Sequence, residues 1–173
     1  MPRIFTWSGK EPSQRNLTVA DLQAAKGQRK FTQVTANTSE EAAAAAEAGI
    51  DMMTCGSSNV EAVRAGNDTI FLTAAIGLPA SPTADDVLRE AFRVMAIGAD
   101  AVFTQRSLDI VSMLAREDIP VMGHLGLVPR KSTWVGGLRA IAKTADEALE
   151  LSRSYCRLED AGAVLVESEL IAS

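Results

Sequence analysis

Apolar residues in this chain come in two alternating arrangements: short continuous runs, and longer segments in which they recur every three or four positions. The runs at residues 31–36, 50–55, 69–76, 101–104, 120–125 and 163–166 predict buried strands. Helices are predicted between them. The clearest lies between Thr83 and Gly98, where Val87, Leu88, Ala91, Val94 and Met95 share one helical face. Thr18, Thr38 or Ser39, Thr83 and Thr144 stand where a hydroxyl can accept from a first-turn N–H. The acids Glu40, Glu41, Asp85 and Asp86 suit the positive end of a helix. Further helices are expected at 21–26, 60–65, 107–115 and from Thr144 to about residue 160. Residues 1–15 show no periodicity, so a polar leader (1–16) is expected ahead of a strand–helix domain (17–173).

An internal repeat supports this division. Ala48-Gly49-Ile50-Asp51, Ile97-Gly98-Ala99-Asp100 and Asp160-Ala161-Gly162-Ala163 each sit where a helix stops and a strand begins. Glycine supplies the left-handed turn that a helix end needs there. Strands alternating with helices imply parallel pairing and right-handed crossovers. The fold class is therefore α/β, either an open doubly wound sheet or an incomplete TIM-type (β/α) barrel of about six units. In both architectures ligands bind where strands end and the next loops begin.

Composition narrows the partners. With 17 Lys and Arg against 22 Asp and Glu, the net charge is −5, which argues against a phosphate-backbone partner such as nucleic acid. No stretch has the length and apolarity of a membrane span, and residues 1–14 lack a signal-peptide core, so a cytoplasmic protein is expected. Cys55 and Cys156 give neither a disulfide framework nor metal-ligand spacing, and apolar neighbours suggest that both are buried thiols.

Few residues at the strand ends carry chemistry. His124, the only histidine, ends an apolar strand between two glycines; it is either a ligand contact or a buried imidazole bonded to a main-chain carbonyl. Glu167 follows the last strand, where burial would raise its pKa toward that of a general base; the alternative is an exposed acid at the rim. Gly56-Ser57-Ser58 offers hydroxyls and main-chain N–H groups to an anion, or simply caps the next helix. Gly136-Gly137 reads as a tight turn. Arg130, Lys131, Arg139 and Lys143 either guide an anion or form a solvated face.

The stretch Ile119-Pro120-Val121-Met122-Gly123-His124-Leu125-Gly126-Leu127-Val128-Pro129, followed by Gly136-Gly137, closely resembles ketopantoate hydroxymethyltransferase. The likeness extends to the helix near residues 17–26, the strand at 31–36 and the segment 147–167, so that with gaps it covers about 17–172. It implies a barrel of the phosphoenolpyruvate/pyruvate superfamily and one-carbon transfer from methylenetetrahydrofolate to a 2-oxo acid in pantothenate biosynthesis, with Mg²⁺ holding the enolate. Carried over, Glu167 would be the base, and Ser58 and His124 would contact the substrate.

At the positions where the resemblance implies metal-ligating carboxylates, this sequence has Ser57, Ala75 and Gln105, with Phe103 in place of a lysine. Ala cannot ligate a hard cation, and Ser and Gln offer only neutral oxygens. A divergent member with a degenerate metal site is therefore expected. The alternative is a noncatalytic paralogue that binds a small anion or a protein partner. Six strands where the resemblance implies eight would leave two open edges, so a homo-oligomer is expected.

Overall fold

The computed structural model describes residues 1–9 and 11–172. Contacts group the chain into two units, residues 1–102 and 103–173.

In the first unit, β1 (Arg3–Phe5) and β2 (Pro12–Gln14) pair antiparallel. This hairpin occupies the stretch in which the sequence predicts no element. Its exit is anchored by Arg15 and Asn16. Asn16 Nδ2 donates to the Asp51 carbonyl, and Asn16 Oδ1 accepts from the Phe71 N–H. Then come α1 (Val19–Ala24), β3 (Gln33–Thr35), α2 (Ser39–Glu47), β4 (Met52–Gly56), α3 (Val60–Gly66), β5 (Phe71–Ala75), α4 (Ala84–Ile97) and β6 (Ala101–Phe103). The β3, β4 and β5 strands pair parallel and in chain order, with Thr35 beside Thr54 and Thr54 beside Thr73.

The expected caps form. The Thr18, Thr38, Thr83 and Thr144 hydroxyls each accept a first-turn N–H, and Asp21 and Asp86 return the bond to complete two capping boxes. The α4 helix buries Val87, Ala91, Val94 and Met95, with Leu88 half-buried at the edge of that face. The β5 strand begins two residues later than its apolar run suggests, because Asn67 Oδ1 accepts the N–H groups of Thr69 and Ile70 and holds them in a turn. Gly66 allows α3 to touch the start of α2: a Cβ there would lie 2.0 Å from the Ser39 carbonyl oxygen.

The repeated Gly-X-Asp element does a specific job. Asp51 accepts the Thr32 N–H at 2.8 Å, just ahead of β3, and Asp100 accepts the Leu72 N–H at 2.9 Å in β5. Each aspartate ties the N-terminal end of its own strand to the preceding one. Asp100 does more. It receives Arg15 Nε at 2.7 Å and Arg64 Nη2 at 2.6 Å, and both guanidiniums also donate to the Gly98 carbonyl. All three side chains are at least nine-tenths buried.

The second unit contains α5 (Leu108–Arg116), β7 (Val121–Gly126), α6 (Ala145–Asp160) and β8 (Ala163–Glu169). The β7 and β8 strands pair parallel, with a register shift between Val121 and Met122. β8 continues three residues past its apolar run: Glu167, Ser168 and Glu169 stay opposite His124, Leu125 and Gly126, since ladder pairing needs only the backbone. The Gly136-Gly137 turn is present, with φ of +81° and +113° and the Gly137 N–H bonded to the Ser132 carbonyl. The sequence and its elements define an incomplete (β/α)-barrel type, α/β with six parallel strands. No helix among the described residues is long and apolar enough to cross a membrane.

Candidate active site

The alternation of β7 sets the site. A Cβ on Gly123 would meet Leu158 of α6 at 2.6 Å, so this position faces the helix. Tyr155 of α6 likewise shares a 2.5 Å hydrogen bond with Ser168 on β8. His124, one residue on, faces the other side together with Glu167 and Glu169. Its Nδ1 lies 3.5 Å from Glu167 Oε2 and its Nε2 lies 3.3 Å from Glu169 Oε2. The Phe103 ring packs beside the imidazole, centroids 5.7 Å apart.

His124 is almost wholly buried, with 1% of its side chain exposed, yet neither ring nitrogen has an aligned hydrogen-bond partner. These approaches are close polar contacts that stop short of hydrogen bonds, an uncommon arrangement for a buried polar ring. The alternative of an imidazole bonded to a main-chain carbonyl does not occur. Glu167 departs from its expected burial: its side chain is 47% exposed and Glu169 is 43% exposed. Strand pairing carries β8 outward beyond its apolar residues, so Glu167 is an exposed acid at the rim. Glu169 was not singled out in the sequence. The signal was there, because a period of two places residues 167 and 169 on one face.

Gly126 fixes the start of the following loop. It has φ +82°, and an added Cβ would lie 2.1 Å from the Glu169 carbonyl oxygen, the same oxygen that accepts the Leu127 N–H at 2.9 Å. Only glycine permits that approach.

In the first unit, Gly56 and its neighbours are less available than expected. The Gly56 N–H donates to Asn37 Oδ1, as does Asn59 Nδ2. The exposed Ser58 hydroxyl donates to Asn59 Oδ1 at 3.2 Å, and the Ser57 carbonyl accepts from Arg93. Asn37 organises this loop, a role that its position at a strand end hinted at without specifying. Cys55 is buried, and desolvation pushes its thiol up to about 11. Cys156 is exposed on α6, contrary to the expected burial, because it lies off the face that buries Leu158.

The donor set tests the implied Mg²⁺. Ala75 has no ligating side-chain atom, Ser57 carries only a neutral hydroxyl, and the main-chain oxygen of Gln105 is engaged by Arg130. Among the described residues no three His, Cys, Asp or Glu side chains converge to hold a metal ion. The residues at these positions do not fit a magnesium ion, which seeks several oxygen ligands with carboxylates among them.

Parallel strand–helix units with polar groups at the strand ends place the chain in the α/β-barrel class. The crystal structure of 2,3-dimethylmalate lyase, a PEP mutase/isocitrate lyase superfamily member, shares that fold: TM-score 0.57 at 15% identity, covering 88% of this chain and 64% of the other. The sequence model of ketopantoate hydroxymethyltransferase matches residues 57–173. The 3-methyl-2-oxobutanoate hydroxymethyltransferase of Pyrobaculum islandicum is 30% identical across 91% of this chain and 69% of its own length. That of Thermotoga neapolitana is 31% identical across 90% and 67%. The chain belongs to the ketopantoate hydroxymethyltransferase family, and it spans roughly two thirds of the length of these relatives.

Proposed function

We propose that the chain handles a small 2-oxo acid and that Glu167 removes a proton from the carbon beside the oxo group. This is the part of the family's reaction that calls for an acid–base pair. The observation that carries it is the buried His124 imidazole set between the Glu167 and Glu169 carboxylates at 3.5 and 3.3 Å. In that step the C–H bond breaks, its electron pair becomes the enolate, and the proton passes to a Glu167 carboxylate oxygen. His124 lies 3.5 Å from that carboxylate and can take up an N–H bond to it as the proton is transferred. One-carbon transfer from methylenetetrahydrofolate is not supported by Ser57, Ala75 and Gln105, so the active site is degenerate with respect to the metal. Ser58 remains a candidate contact for the substrate carboxylate. A homo-oligomer in the cytoplasm belongs to the same proposal; the exposure of Val34 on β3 and Val166 on β8 supports the self-association alone.

The test is deuterium exchange at C3 of 2-oxoisovalerate in D₂O, followed by proton NMR. Exchange should exceed the buffer rate and fall in Glu167→Gln by about 10²-fold or more, the usual range for a general base. Equal rates in wild type, Glu167→Gln and buffer would reject the proposal and favour a noncatalytic anion-binding member.

A further inference from the structure

A second feature lies at the C-terminal end of β7 and extends to the side of that strand where α5 and α6 pack. It is a cleft of about 680 Å³. Its charged wall is Arg106, Arg130, Lys131 and Arg157, with the hydroxyls of Ser107 and Ser154 between them, and no acidic side chain lines it. In a chain of net charge −5 this segregation of four of 17 cations is not a sample of the average surface. Cations gathered around a low-dielectric concavity focus a positive potential into it.

Two of these cations have contacts that fix them. Arg130 donates to the Gln105 carbonyl, and Arg157 donates to Glu150 at 2.5 Å and to Ser154 Oγ at 2.8 Å. These contacts use only some of the five N–H donors that each guanidinium carries. Ser107 caps α5, but its hydroxyl makes no cap bond, so the positive end of a nine-residue helix opens onto the same wall. Apolar side chains also line it, Leu108, Val111, Val128 and Leu158.

We propose that this cleft binds a small organic phosphate, a phosphomonoester whose dianionic group sits among Arg106, Arg130, Lys131 and the start of α5. Guanidinium groups and helix N-termini both suit phosphate oxygens. The volume is within the range of small-molecule sites and exceeds what orthophosphate alone would fill, so the apolar side chains receive the organic part. His124 also borders this cleft whereas Glu167 does not line it, and the phosphate contacts proposed here involve neither of them nor the family's 2-oxo acid.

The experiment is calorimetric titration of the whole chain at low salt with two probes, orthophosphate and phenyl phosphate. Both should bind at one site, phenyl phosphate more tightly. Lys131→Ala should weaken both by several-fold. Ser107→Glu should weaken both by tenfold or more without loss of thermal stability, because an acid favours a helix N-terminus while it repels the dianion. Glu167→Gln should leave phosphate binding intact while abolishing exchange on 2-oxoisovalerate, so the two proposals fail separately. Orthophosphate binding as tightly as phenyl phosphate would limit the site to the free anion and overturn the organic-phosphate assignment. Absence of saturable binding in the wild type, or unchanged affinity in both Lys131→Ala and Ser107→Glu, overturns the site itself.

Discussion

Replacing Asp100 should strongly destabilise the first unit. Its carboxylate accepts Arg15 Nε, Arg64 Nη2 and the Leu72 N–H at 2.7, 2.6 and 2.9 Å. The two guanidinium side chains are only 5% and 9% exposed, so water cannot replace the lost acceptor. Burial already holds the Arg64 guanidinium below its ordinary pKa, and Asp100 is the partner that opposes this. Each charge-assisted bond contributes about 1.5–3 kcal/mol, so the two arginine bonds together amount to about 3–6. Breaking a buried ion pair by removing one partner costs about 3–5 kcal/mol. Asp100→Ala should therefore destabilise by about 4 kcal/mol. That is a fall in melting temperature of roughly 8–16 °C for a chain of this size.

Urea denaturation followed by circular dichroism measures the free energy, and limited proteolysis after Arg15 reports whether the N-terminal hairpin has been released. The double variant with Arg64→Ala should cost less than the sum of the two singles, because one removes the charge that the other leaves stranded. If Asp100→Ala and Asp100→Asn both lie within about 0.5 kcal/mol of wild type, the clasp is energetically neutral and the reasoning fails.

Two further outcomes follow from titratable groups. The Thr32 backbone hydrogen bond holds the Asp51 carboxyl below its ordinary value of 3.8, with Arg29 also contributing. A depressed folded-state pKa gives stability that is present above pH 3.8 and lost as pH falls through the folded value. The stability gap between wild type and Asp51→Asn should therefore be widest near neutrality and close in acid; a gap independent of pH between 2 and 7 would contradict the assignment. At pH 8, iodoacetamide should label Cys156 and spare Cys55, whose buried thiol is pushed up to about 11. Mass spectrometry showing equal labelling of both in the native protein would overturn the burial of Cys55.

The strand–helix alternation is legible in the sequence because each element carries its own punctuation: a threonine cap, a helical stripe, a closing glycine. Element ends are less so. Where they missed, a polar residue was at work, Asn67 delaying β5 and the polar end of β8 prolonging it. The N-terminal hairpin escaped because its anchoring is long-range: nothing near Arg15 in the chain announces that it meets Asp100. At the candidate site, His124 and Glu167 stand out as residue types at strand ends, but their pairing depends on the register between β7 and β8. Arg130 and Lys131 line the cleft while Arg139 pairs with Glu147, a division of one basic run that only the folded chain makes.

The setting of His124 has a consequence for how protons move there. A neutral imidazole has a single N–H to give, while two acceptors wait on opposite sides of the ring. Neither approach is an aligned hydrogen bond, so whichever carboxylate turns into line with the ring selects the nitrogen that keeps the hydrogen. A molecule that occupies Glu167 leaves Glu169 as the remaining acceptor and favours the Nε2–H tautomer, so ligand arrival and tautomer choice become one event, transmitted across five atoms of a ring.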